Sequence, residues 1–258
     1  MADIDLASAD SLSAARRAFA PDHGWDRNFF LLLVLTIWLG ILMGFGGDIA
    51  HHYVKNGLNY PLIVHIHAAA FVGWLVLLTT QILLIRNRNY ALHKKLGIAG
   101  ACLAAAMLVL GPAAEIIVGK INYGTPDNDP AFQAIAFTGI LLFGTMVSAA
   151  LLLRKNSSAH KRLMLLGTIA ISNAGFSRWL GGTLAQLFGH SQPAFWGIFY
   201  LIPTVLVLSI GAYDLITRRR LVPAYVAGAA VCVCLQIASV WLYFQPAWLT
   251  LTQHILGH

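Results

Sequence analysis

The chain has 258 residues, of which 58% are hydrophobic and only 10% charged, with a formal net charge of +7. Average soluble domains carry roughly 25% charged residues, and here the apolar residues fall in runs of about 20, the length that crosses a ~30 Å hydrocarbon core. A water-soluble domain is excluded, and the basic residues sit in short loops between runs, which argues for membrane topology and against nucleic-acid binding.

Residues 1–28 are polar and acidic at the start, without the apolar stretch of a cleavable signal peptide, and read as a cytoplasmic segment. Spans are predicted at about 29–49, 61–85, 94–118, 131–153, 161–183, 194–216 and 222–245. Pro61 opens the second span, where the first helical turn tolerates it, and Pro112 predicts a kink near the far end of the third. Residues 119–130, rich in Gly, Asn, Asp and Pro, form an exposed connection. The tail, 246–258, is expected outside the membrane as an interfacial segment, since Trp248 favours the headgroup level. Cys102, Cys232 and Cys234 all lie within apolar runs and read as reduced packing residues.

Two turns repeat one pattern. The first leaves an apolar run through Arg86 and re-enters through His93-Lys94-Lys95-Leu96; the second leaves through Arg154 and re-enters through His160-Lys161-Arg162-Leu163. The predicted fold is therefore an all-α integral membrane protein with seven transmembrane helices, in which spans two to five (about 61–183) form a duplicated-hairpin four-helix core. Fourteen of the seventeen basic residues lie in the N-terminal segment and in the loops after spans two, four and six. The positive-inside rule places those loops and the N-terminus in the cytoplasm and the C-terminus outside, in the cytoplasmic (inner) membrane.

Ten histidines, most of them at span boundaries, are the unusual feature. His93 and His160 stand at the inner boundary; His51, His52, His65 and His67 stand toward the outer side. Helical spacing puts His160 and Arg178 on one face, His93 and Glu115 within about 40° of one another, and His67 and Gln81 on one face with Phe71, Trp74 and Leu78. Charged groups at membrane depth normally face a partner or a cavity. Arg178 is expected to pair with Glu115, with Asp48 as the substitute partner.

Three readings of the histidines compete. Paired imidazoles from neighbouring helices, here His67, His93 and His160, suit axial ligation of haem b or a quinone pocket, with Gln81, Glu115 and Arg178 in support. A transition-metal site at the outer face could use His51, His52, His65 and Asp48, the last three residues from His51 on one helix. The third reading is structural: basic turns that set hairpin geometry and meet lipid phosphates. No phosphate-cradling Gly loop, serine nucleophile elbow or His-Glu-x-x-His helix occurs, so soluble-type hydrolysis has no support.

The order His65 or His67, His93 to Gly97, His160 to Met164 and then Arg178 resembles a set of bacterial polytopic membrane proteins of unknown function, over about residues 60–183. More distantly, histidines in two layers of a helical bundle are similar to the membrane cytochromes b that include ferric reductases. Those proteins typically place two histidines on one helix at the spacing that separates His67 from Gln81, 14 residues, where this chain has glutamine. The resemblance therefore implies a single haem or a quinone pocket rather than two haems. The resulting expectation is a membrane redox protein with a redox partner in the bilayer; the alternative is a non-catalytic assembly factor or small-solute permease.

The topology is checked with a reporter phosphatase that is active only outside the cytoplasm. Fusions after Asn59 and Gly124 are expected to be active, and fusions after Asn87 and Asn156 inactive.

Overall fold

The computed structural model describes residues 19–20, 22–57, 59–125, 128–189 and 191–257. Among the described residues eight helices follow one another: α1 (Asp26–Asn56), α2 (Leu62–Arg86), α3 (Tyr90–Ile121), α4 (Gln133–Leu152), α5 (Ser157–Phe188), α6 (Gln192–Arg218), α7 (Pro223–Tyr243) and the short α8 (Pro246–Leu256). A 3₁₀ turn, Pro130–Phe132, leads into α4. No strand occurs among the described residues. Helices α1 to α4, α6 and α7 give six candidate spans, long and apolar enough to cross a membrane. The protein is an all-helical, multi-pass membrane protein.

Helix α5, expected as the fifth span, is not among those six. At 32 residues it is as long as α3. It packs against α1, α4, α6 and α7. Its buried residues include Arg162, Thr168, Ser172 and Asn173. A helix shielded by neighbouring protein does not need a continuous apolar surface, because its polar groups find partners inside the bundle.

Local sequence starts α3 and α5 in the same way. Asn89 accepts from the Leu92 backbone N–H at 3.2 Å, and Asn156 accepts from the Ala159 N–H at 3.1 Å. Each is an N-cap whose side chain satisfies a donor left open in the first turn. His93 and His160 follow at the same offset, each donating its backbone N–H to the cap residue's carbonyl. Pro112 lies inside α3, and Pro203 inside α6.

The bundle interior is filled from α2 and α4. Trp74 and Phe143 meet edge to face, with centroids 4.9 Å apart, and Met107 of α3 is fully buried in the same cluster. Trp74 also donates its indole N–H to Thr168 Oγ1 at 3.1 Å, bridging α2 to α5. Trp38 of α1 donates similarly to Thr79 of α2 at 3.0 Å. Between α6 and α7, Tyr200 meets Ser239 at 2.7 Å and Thr204 donates to Gln236 at 2.9 Å. Such interhelical hydrogen bonds hold membrane helices together where lipid supplies no hydrophobic driving force. Trp248 of α8 donates to the Ala131 carbonyl at 3.0 Å, so the tryptophan expected at the headgroup level is tied to the entrance of α4.

The closest helix approach is α1 on α5. Gly40 and Gly44 form a small-xxx-small pair against Gly175. A Cβ at Gly44 would land on the Gly175 carbonyl, and one at Gly175 would sit 2.7 Å from the Gly40 carbonyl oxygen. Backbone occupies the space, so no side chain can move aside. Gly44→Val is expected to lower stability in detergent by at least the ~1–3 kcal/mol of ordinary overpacking. Gly46→Ala, where nothing lies within 4 Å, serves as the neutral control in the same thermal unfolding measurement.

Candidate functional site: two polar layers joined by one bundle

At the end of the bundle that holds the two basic turns, the structure brings Gln81, His93 and His160 together from α2, α3 and α5. The two imidazole centroids are 6.5 Å apart with perpendicular planes. His160 Nδ1 lies 2.8 Å from the Ala150 carbonyl of α4. A carbonyl can only accept, so this nitrogen carries the proton and Nε2 keeps a lone pair. Gln81 Nε2 donates to the His93 backbone carbonyl at 3.1 Å. Two polar atoms of the group are buried without any partner: Gln81 Oε1 and His93 Nδ1. Orphaned buried polar atoms are uncommon in folded proteins and mark a role or a missing partner.

Directly beside this group lies an ion network. Arg162 of α5 and Asp214 of α6 are both fully buried and paired side-on, Arg162 Nε donating to Asp214 Oδ2 at 2.6 Å and its Nη2 to Oδ1. Arg162 Nη1 donates to the Ser158 carbonyl at 2.8 Å. Asp26, at the start of α1, accepts from Lys161 at 2.6 Å, from Arg218 at 2.7 Å and from the Tyr213 hydroxyl at 2.6 Å. The Phe19 ring lies 4.8 Å from the Arg162 guanidinium and 5.1 Å from that of Arg218. The Ala20 carbonyl accepts from Arg218 Nε at 2.8 Å. The bases of the second His-basic-basic turn are thus held by carboxylates of α1 and α6, and the lipid-phosphate reading of that turn is corrected. Asp26 and Asp214 escape a reading based on histidines. The available signal is that Asp214 is an acid inside the sixth apolar run, one turn before Arg218.

The second layer, toward the opposite end of the bundle, holds His67, Glu115, Arg178 and Asp48. Arg178 pairs with Asp48, Nε to Oδ2 at 3.2 Å, and both are substantially exposed. Its Nη1 donates to the Ala174 carbonyl at 2.9 Å, and its guanidinium lies 4.6 Å from the Phe45 ring. The expected first choice, Glu115, is displaced by the substitute because the glycine crossing sets α1 directly on α5. Among the described residues Glu115 makes neither a hydrogen bond nor an ion pair. His67 packs on Phe71 with ring centroids 4.2 Å apart, and its Nδ1 is buried without a partner.

Spacing separates the layers. His93 to Glu115 is 22 residues along α3, about 33 Å of rise, and His160 to Arg178 is 18 residues along α5, about 27 Å. Glu115 and Arg178 therefore stand at the opposite ends of their helices from His93 and His160. His65 faces its own first turn, Nδ1 3.3 Å from the Pro61 carbonyl and the ring edge-on to Tyr60. The side chains of His51 and His52 lie outside the described residues. Among the described residues no group of three or more His, Cys, Asp or Glu could hold a metal ion, and Asp48 is engaged by Arg178.

No protein-family model, no curated protein and no solved structure matches the chain.

Removing one member of the buried pair strands the other without water. Asp214→Asn or Arg162→Ala is expected to cost about 3–5 kcal/mol, and Arg162→Met combined with Asp214→Leu to recover most of it. Thermal unfolding of the three variants in detergent checks this.

Proposed function

We propose that the protein is a redox protein of the cytoplasmic membrane that binds a quinone or quinol headgroup among Gln81, His93 and His160. The observation that carries this reading is the pair of orphaned buried atoms, Gln81 Oε1 and His93 Nδ1, beside the lone pair on His160 Nε2. A quinol offers two O–H donors. Gln81 Oε1 and His160 Nε2 are acceptors suited to them, and His93 Nδ1 can give or take a proton according to its tautomer. When a quinol is oxidised to quinone it releases two electrons and two protons; His160 Nε2 would take one proton, the Ala150 carbonyl stabilising the resulting imidazolium, and His93 Nδ1 would take the other. The electrons pass to or from a redox partner in the membrane.

A second reading, haem b, is favoured by one observation. A histidine whose Nδ1 donates to a backbone carbonyl has the tautomer and orientation of a metal ligand. Two imidazoles from different helices would make an axial pair. Against it, a Cβ at Gly100 would sit 2.8 Å from Leu77, and one at Gly97 3.7 Å from Gln81. The small residues of α3 that would make room for a macrocycle are therefore covered by α2.

The same proposal takes α5 as a seventh span, enclosed by its neighbours, and the two Asn-capped, histidine-bearing turns as a duplicated hairpin. It places the N-terminus in the cytoplasm and the C-terminus outside. The resemblance to polytopic membrane proteins with paired His-basic-basic turns belongs to this reading.

The test is the content of the purified protein in lipid nanodiscs. Solvent extraction is expected to release quinone, and added quinol to bind about tenfold or more weakly to Gln81→Leu and to His160→Ala, each of which leaves a buried O–H unpaired. A visible b-type spectrum that disappears in His93→Ala would replace quinone by haem. A folded, colourless protein that neither carries nor binds quinone would overturn both and leave the assembly-factor or permease class.

A further inference from the structure

We propose that the crossing of Arg27 and Arg86, with Arg88 beside it, binds the phosphate of an anionic phospholipid. This is independent of what binds among Gln81, His93 and His160.

Two like charges are held together here by hydrogen bonds. Arg27, the second residue of α1, donates from Nη2 to the Arg86 carbonyl at 2.7 Å. Arg86, the last residue of α2, donates from Nη1 to the Arg27 carbonyl at 3.2 Å and to Asn28 Oδ1 at 3.0 Å. Every acceptor in this crossing is neutral. Asp26, the neighbour of Arg27 in the chain, is already taken by Lys161, Arg218 and the Tyr213 hydroxyl. Among the described residues Arg27, Arg86 and Arg88 have no carboxylate partner, and neither have Lys94 and Lys95 at the start of α3. The bases of α5 and α6 are neutralised within the protein, and this second set is not.

The guanidinium atoms left over suit a phosphate. Arg27 keeps Nε and Nη1, and Arg86 keeps Nε and Nη2, without a partner among the described residues. Such forks of donors match phosphate oxygens bidentately. Position then selects the source of the phosphate. Arg27 stands at the start of one candidate span, Asp26–Ala50, and Arg86 at the end of the next, Leu62–Arg86. Span ends lie at the headgroup level, so the phosphate within reach belongs to a lipid. Trp25 is 68% exposed and Tyr90 53%, one on each side of the crossing in the chain. Exposed Trp and Tyr beside bases are the composition of a membrane–water interface.

The turn from α2 to α3 carries an independent mark. Arg88 has φ of 59°, in the left-handed region that is unfavourable for a residue with a Cβ. Asn87 and Asn89 flank it, and asparagine or glycine would adopt that conformation more readily. A strained and exposed base kept at this position points to work for its side chain. The lipid-phosphate reading that fails at Lys161 and Arg162 therefore applies elsewhere, across α1 and α2 and into the first basic turn.

The experiment is native mass spectrometry of the full-length protein released from nanodiscs of equal parts phosphatidylglycerol and phosphatidylcholine. Wild type is expected to retain phosphatidylglycerol over phosphatidylcholine by at least about fivefold. In Arg27→Gln that preference is expected to fall about fivefold, the contribution of one base at an anionic lipid surface. The Arg27 backbone carbonyl that Arg86 uses is untouched by this change. In Arg88→Gly the preference is expected to fall while thermal stability is kept, since glycine relieves the left-handed strain. Lys120→Gln, at the opposite end of α3, is expected to leave the preference as it is. A wild-type protein without preference overturns the proposal, as does a preference that survives in both Arg27→Gln and Arg88→Gly, or one that falls equally in Lys120→Gln. Inorganic phosphate that binds as tightly as phosphatidylglycerol, in detergent free of anionic lipid, overturns it too, because the site would then serve a free anion.

Discussion

Arg162 has no contact with water, and the Asp214 carboxylate that holds it comes from a different helix. Taking both charges out of water costs several kcal/mol per ion, and the mutual attraction offsets this only when the geometry is good and the remaining donors are satisfied. Both conditions are met here, through the side-on pairing and the Ser158 carbonyl. The consequence is that α5 and α6 cannot separate where Arg162 meets Asp214. Asp26, Lys161 and Arg218 extend the same constraint to α1, and Phe19 and Ala20 bring the incoming chain onto it.

From that fixed point the rest of the bundle follows. Helix α5 rises from the ion network with too many polar groups to face lipid, so α1, α4, α6 and α7 surround it. Halfway along, Thr168 accepts from Trp74 and the two large rings of Trp74 and Phe143 fill the interior. Further out, Gly175 lets α1 come to backbone contact, and the same contact delivers Asp48 to Arg178. The two polar layers are thus not independent decorations. They are the two ends of one buried helix, each satisfied by a carboxylate from a neighbour. The histidines of both layers are less well satisfied than the arginines: Gln81 and His93, and His67 in the other layer, keep unpaired buried atoms where Arg162 and Arg178 do not.

Much of the architecture was legible in the chain. The length of apolar runs located the six candidate spans, and helical spacing correctly placed Trp74, Leu78 and Gln81 together on the buried face of α2. The likeness of the two basic turns was legible too, down to the histidine at the fourth position after each capping Asn. The role of the bases was not. Lys94-Lys95 and Lys161-Arg162 look alike in sequence, but among the described residues only the second pair meets carboxylates, because Asp26 and Asp214 come from α1 and α6 and lie 135 and 52 residues away. Choosing Glu115 over Asp48 for Arg178 failed for a related reason: both acids have suitable depth, and depth says nothing about which helix lies next to α5.

By itself, then, the sequence determined the helical class, the membrane setting and how far along its helix each polar residue stands, because periodicity and rise per residue are local properties of the chain. Only the tertiary structure decided which residues at a given depth meet. That choice rests on lateral packing: three glycines that admit α1 to α5, a Trp–Thr hydrogen bond that sets α2 against α5, and a buried Arg–Asp pair that closes α5 on α6. Each of these joins residues far apart in the chain, and their partners become visible only when the helices are placed side by side.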